Sequence, residues 1–134
     1  MKRNSRLSLA LHSLCHMAKE PSRYWTSDEI ASHAGTNPVV VRRVLGKLSK
    51  AEILNAKKGH SGGWQLAKTS NNISLGDVYQ ALDESFIASS QRDDAPSCSV
   101  ENALQQKVHC VLDDIELVLV ERLRQTSIAD VAGV

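Results

Sequence analysis

Residues 26–48, TSDEIASHAGTNPVVVRRVLGKL, decide how the rest of the chain is read. Thr26 can cap a helix while Glu29, three residues on, reaches back to the backbone of Thr26, so that two orphan donors of the helix start are satisfied reciprocally. Gly35 ends that helix, because the terminating residue often takes a left-handed conformation that glycine alone adopts without strain. A second helix begins at once. Asn37 suits its N-cap and Pro38 its first helical position, where a missing N–H costs nothing. Val41, Val44, Leu45 and Leu48 recur at helical spacing as an inward stripe, which leaves Val39, Val40, Arg42, Arg43, Gly46 and Lys47 facing outward. Three consecutive valines lose rotamer freedom in a helix, so packing and not propensity must hold this one. Two short helices on a tight turn, the second with a basic outer face, have the pattern of a helix-turn-helix.

Downstream, Ala51 closes the second helix, and Ile53, Leu54 and Ala56 lead into KKGHSGG at 57–63 before Trp64, Gln65 and Leu66 alternate apolar, polar, apolar. This is the signature of a β-hairpin turning on glycines. A hairpin directly after such a helix is a wing, and its Lys57, Lys58, His60 and Ser61 are placed to touch phosphates or enter a minor groove. Upstream, residues 5–19 form a helix with Leu7, Ala10, Leu11, Leu14, Met17 and Ala18 on one face. The basic start resembles a secretory leader only superficially, since His12 and His16 interrupt the apolar run and no small-residue cleavage site follows.

At 134 residues the chain has the size of one domain with an appendage. Its net charge of +1 hides an asymmetry: residues 1–75 hold twelve Lys and Arg against four Asp and Glu, residues 76–134 four against eleven. A basic half is the electrostatic footprint expected of nucleic-acid binding, although any acidic surface would suit it. No stretch approaches the ~20 apolar residues of a membrane span, so the expected location is cytoplasmic, with the three cysteines reduced.

Ser74 caps a short helix over 75–83, with Asp77 at its third position and Ile73 set to pack on Val78. Residues 89–97, SSQRDDAPS, read as a mobile loop. A long helix over 99–125 follows, about 40 Å if unbroken. Its Leu104, Val108, Val111, Ile115 and Val118 recur in alternating four- and three-residue steps, the seam of paired helices, while Leu112, Leu119 and Leu123 make a second stripe. One helix with two apolar faces wants two partners, its own domain and a second protomer. The expected fold class is therefore mainly α with a small β-wing: a winged helix-turn-helix over 1–83, a mobile loop over 84–98, and a dimerisation helix with C-terminal segment over 99–134.

These residues resemble the Rrf2 family of bacterial winged helix-turn-helix regulators over nearly the whole chain. The resemblance rests on SRLSLALHSL (5–14), DEIASHAGTNPVVVRRVLGKLSKAEIL (28–54), KKGHSGGWQLAK (57–68), ISLGDVYQALD (73–83), a late cysteine before a long helix, and TSIADV (126–131). TNPVVVRRVLG with GGW is most similar to the YwnA-like branch. It implies a homodimeric transcription factor, commonly a repressor, that dimerises through the long helix, sets a recognition helix in each major groove and a wing in the adjoining minor groove. The iron-sulfur members carry three closely grouped cysteines where this chain has Cys98 and, twelve positions later, Cys110. No cofactor is therefore expected. On one unbroken helix Cys98 and Cys110 would sit roughly 18 Å apart, beyond disulfide reach.

Arg42 and Arg43 are the candidate base readers, because a guanidinium fork can donate two bonds to guanine in the major groove. Asn37, Val39 and Val40 lie where a recognition helix meets bases, with Lys47 further along it; Asn37 serves equally as a cap alone. Cys98 at a helix start would be favoured as a thiolate and is the candidate redox residue, with Cys110 as its companion. His12, Cys15 and His16 share one helical stripe but lack a second cysteine nearby, so no metal site is assigned. No phosphate loop, nucleophile elbow, HExxH or dinucleotide fingerprint occurs, which excludes the common enzyme classes. The alternatives are a thiol-responsive regulator acting through Cys98 and a winged-helix protein-interaction module using Val39 and Val40.

Overall fold

Three helix starts are built by the same device. A computed structural model describes residues 6–83 and 99–134, and within it helices begin at reciprocal capping boxes of Thr26 with Glu29, Ser74 with Asp77, and Ser127 with Asp130. In each, the hydroxyl accepts from the backbone N–H of the acid, whose carboxylate accepts from the backbone N–H of the cap, removing two unpaired donors. The chain runs α1 (Arg6–Lys19), α2 (Ser27–Ala34), α3 (Pro38–Lys50), β1 (Leu54–Lys57), β2 (Gly63–Leu66), α4 (Leu75–Ala81), α5 (Ser99–Leu123) and α6 (Ile128–Ala132), with a single turn of 3-10 helix at Ser70–Asn72. This is the mainly helical, winged architecture that the sequence implies. Two helices stop two residues sooner than their spacing suggests. Leu82 caps α4 and Asp83 turns to φ 52°, and α5 gives way after Leu123 to tighter turn hydrogen bonds from Gln125 to Arg122 and from Thr126 to Leu123. The polar stretch 89–97 and Cys98 lie outside the described residues.

One core joins the pieces. Ala10, Leu14 and Met17 of α1 are completely buried with Val41, Leu45 and Leu48 of α3, with Ile73 before α4, and with Val78 inside it. Ser13 shares that interior by donating to the Leu9 carbonyl at 2.7 Å, which satisfies its hydroxyl within its own helix. Ile128 is equally buried in the same cluster. The sequence groups residues 127–134 with the long helix, yet here α6 returns to α1. The return is fixed by hydrogen bonds from Ile128 N–H to the Ile73 carbonyl (2.8 Å) and from Leu75 N–H to the Thr126 carbonyl (2.9 Å). By contrast α5 has no buried residue. It is held to α4 by Tyr79 Oη donating to Glu116 (2.7 Å), and just past its end Arg124 donates to Gln80 (2.8 Å).

The wing is an antiparallel pair in the register Leu54 to Leu66 and Lys57 to Gly63. Its second strand is tied to the entry of α2: Trp25 and Trp64 exchange both backbone hydrogen bonds at 2.8 Å, and the Trp64 indole N–H donates to Ser27 Oγ at 3.0 Å. That closeness requires glycine at 63. Its φ is +146°, and a Cβ there would lie 2.4 Å from the Trp25 carbonyl oxygen. Gly35, the left-handed C-cap of α2 at φ +69°, has open space around the corresponding point, so its constraint is conformational only. Urea unfolding separates the two effects: Gly35→Ala should cost about 1 kcal/mol, whereas Gly63→Ala, which must break the strand bridge or shift the backbone, should cost about 3 kcal/mol. Equal losses would mean that the wing is not clamped as described.

Candidate nucleic-acid interface

The orientation of α3 follows from its two faces. Val41, Val44, Leu45 and Leu48 are all buried, which turns Val39, Arg43, Gly46 and Lys50, at positions i, i+4, i+7 and i+11, directly away from the core. Val39, Arg43 and Lys50 are exposed, Val39 by 56%, and Arg42 is exposed on one flank. Asn37 uses its side-chain oxygen to accept from Val40 N–H at 3.0 Å, so it is engaged as the N-cap. Two residues expected to face outward behave differently. Val40 packs against the core, and Lys47 turns to the other flank, where its ammonium donates to the Leu82 carbonyl at the end of α4 (3.2 Å). That bond satisfies one orphan acceptor at the C-terminus of α4. Lys50 is the residue that the sequence reading passes over; its spacing of seven from Arg43 was the available signal.

Lys57, Lys58, His60 and Ser61 are exposed at the wing. Lys57 also lies 5.5 Å from the centre of the Tyr24 ring, a cation–π distance that ties it to the segment before α2. Between Glu29 and Asp77 the chain carries seven Lys and Arg and one acid, Glu52. Glu29 itself is occupied by its capping role and by an ion pair with Arg23, which also pairs with Glu20 at 3.0 Å. Among the described residues, α3 and the wing therefore present a cationic surface of exposed Arg42, Arg43, Lys50, Lys57 and Lys58.

The Rrf2 family profile, described as an iron-dependent transcriptional regulator, matches residues 3–133. The chain is also 32% identical over 129 residues to the candidate HTH-type transcriptional regulator YwnA of Bacillus subtilis (strain 168), an alignment that spans 96% of this chain and 95% of that one. The chain belongs to the Rrf2 family. It is accordingly a member of a family of transcriptional regulators and not of an enzyme family. A crystal structure described as a candidate DNA binding protein superposes with a TM-score of 0.76 at 31% identity, covering 95% of this chain and 98% of the other. A candidate transcriptional regulator from Lactobacillus plantarum superposes with a TM-score of 0.78 over 96% and 87% of the two chains; at 22% identity it speaks for the fold alone.

In this Rrf2 chain the two apolar stripes of α5 differ in exposure. Leu104, Val108, Val111, Ile115 and Val118 are between 46% and 63% exposed, whereas Leu112, Leu119 and Leu123 on the second stripe are half-buried. The family description invokes iron, but among the described residues no group of three or more His, Cys, Asp or Glu is arranged to hold a metal ion. Cys110 is exposed on α5, Cys15 is half-buried on α1, and Cys98 lies outside the described residues. Burial pushes the Cys15 thiol up, with Lys19 partly opposing it, which makes Cys15 a poor nucleophile.

The histidines of α1 meet a third from α2. His12 and His16 are hydrogen-bonded through their Nε2 atoms at 2.9 Å, and the His16 ring lies 4.8 Å from that of His33 and 5.6 Å from Trp25, centre to centre. Desolvation pulls the His16 imidazole below its ordinary value; His12, His33 and Lys19 add to this, and Glu20 opposes it. A depressed value means that the unfolded chain takes up this proton before the folded one. Stability from this group is therefore present above about pH 6.5 and is lost as pH falls through the folded value. Between about pH 7.5 and 5.5, wild-type protein should lose more of its urea midpoint than His16→Gln. Parallel losses would remove His16 from the account.

Proposed function

We propose that this chain binds operator DNA as a two-fold homodimer and regulates transcription, most simply by occluding a promoter as a repressor. The observation that carries the reading is the cationic surface formed jointly by α3 and the wing, set on a rigid joint between Trp25 and Trp64. Arg42 and Arg43 extend from the first half of α3, where a recognition helix reaches base edges, and a guanidinium can bond guanine in two places. Val39 is available to contact a thymine methyl. Lys50 on α3 and Lys57, Lys58, His60 and Ser61 on the wing supply phosphate contacts, which position the domain without reading sequence. The exposed α5 seam supports assembly: five large apolar side chains along one stripe make an apolar patch suited to a second copy of the same helix. A two-fold dimer reads a near-palindrome, so two half-sites about one duplex turn apart are expected.

Anisotropy titrations against a fragment selected from genomic DNA test the DNA contacts at several salt concentrations. Arg42→Ala or Arg43→Ala should weaken the preferred site by about 1–3 kcal/mol and relax its sequence preference. Lys58→Ala should weaken all sequences alike and reduce the salt slope by about one unit. Full binding by both arginine variants would contradict the assignment, and binding of a protein segment in place of any DNA would favour an interaction module instead.

Assembly has its own test. Ile115→Glu sets a charge in the seam and should sediment as a monomer while keeping its helical circular dichroism. A wild-type chain that is monomeric at micromolar concentration would contradict the dimer.

A further inference from the structure

A cavity of about 950 Å³ runs along α1, between it, the turn that joins α2 to α3, and α6. That volume is near the top of the roughly 300–1,000 Å³ found for sites that enclose small organic ligands. Its apolar lining comes from Leu9, Leu11, Val40, Leu75 and Val131, drawn from four helices. Among the described residues its charged lining is basic: Lys19, Arg6, His12 and His16 contribute to it and no Asp or Glu does, beside the hydroxyls of Ser8 and Thr36. Apolar walls with basic groups complement an apolar body that carries one negative charge. A neutral hydrocarbon would leave Lys19 unused, and a cation would be repelled by it.

The neighbours of the cavity matter as much as its chemistry. Ala34 at the end of α2, and Gly35 and Thr36 of the turn that follows it, line the cavity, and Val40 belongs to the first full turn of α3. Any occupant therefore touches both α1 and the base of the helix that carries Arg42 and Arg43. We propose that this cavity is an effector site for a small monocarboxylate with an apolar body, whose carboxylate pairs with Lys19 beside the His12–His16 pair and whose body lies against Leu9, Leu11 and Val40. Filling it shifts α3 relative to α1 and changes the fit of α3 to DNA. The regulatory part rests on the DNA-binding reading given above; the binding part does not.

Calorimetry on the full-length chain with 1-naphthoate, and with the neutral 1-naphthalenemethanol as its counterpart, tests the site. Naphthoate should bind once per protomer and the alcohol at least about tenfold more weakly. Lys19→Gln, an exposed change that leaves the core intact, should weaken naphthoate about tenfold and leave the alcohol unmoved. Leu11→Trp should fill the groove and abolish both without lowering the thermal midpoint. Absence of naphthoate binding, equal affinities of wild type for acid and alcohol, or naphthoate binding to Ile115→Glu monomers but not to the wild-type assembly would each overturn the proposal, the last by assigning the groove to a second copy. Saturating naphthoate should change operator affinity in wild type and not in Leu11→Trp; an unchanged affinity would overturn the effector role. A chain that binds naphthoate through Lys19 but no DNA fragment would instead overturn the DNA-binding reading and uphold the site.

Discussion

Everything the candidate interface does depends on the burial of one side of α3. Val41, Val44, Leu45 and Leu48 are each at most 1% exposed, so any rotation of this helix about its axis would bring apolar side chains to water at about 1.5–3 kcal/mol apiece. The helix has little reason to exist otherwise. After Pro38 it continues with three valines whose branched side chains crowd the preceding turn, and its stability comes from the core it completes. The same stripe that makes α3 stable thus fixes which residues point out. Val39, Arg43, Gly46 and Lys50 are presented because four apolar positions on the opposite side admit no alternative.

The wing is fixed by different physics. Two four-residue strands make an assembly too small to stand alone, and the third partner is supplied by the backbone of Trp25, which exchanges two hydrogen bonds with Trp64. Glycine at 63 is what permits the approach. Since Trp25 immediately precedes the capping box of α2, the wing and the helix-turn-helix share a short rigid joint. A basic residue on the wing consequently has a defined distance from one on α3, a requirement for touching a single duplex at two places.

Features set by neighbours in the chain were readable from the sequence, and features set by distant contacts were not. The capping boxes at Thr26 and Ser74, the glycine stop at Gly35 and the proline start of α3 are local, and each stands where its residues put it. The box of Ser127 with Asp130 was equally local and available, but a five-residue helix leaves too short a periodicity to attract notice. Ile128 could not be assigned to the core from its own surroundings, because the hydrogen bonds that bring it there come from Ile73 and Leu75, more than fifty residues away. Lys47 shows the same limit. Its position on α3 leaves it on an outward flank, and only the end of α4, thirty-five residues on, supplies the carbonyl that holds it.

The two charged halves of the sequence acquire a meaning from this geometry. The basic half contains α3 and the wing, and the acidic half contains α5, with Glu101, Asp113, Asp114, Glu116 and Glu121 against Lys107 and Arg122. A polyanion approaching the molecule is attracted to one part of it and repelled from the other, so orientation is selected before contact, over the ~8–10 Å reach of charge at physiological salt. In the proposed dimer the acidic helices lie at the two-fold axis and the basic surfaces at its ends. In that arrangement an apolar seam buried inside acidic flanks would keep nucleic acid off α5 and leave α3 and the wing as the favourable approach. Net charge alone, at +1, conceals this division; it emerges once the sign of each segment is placed on the fold.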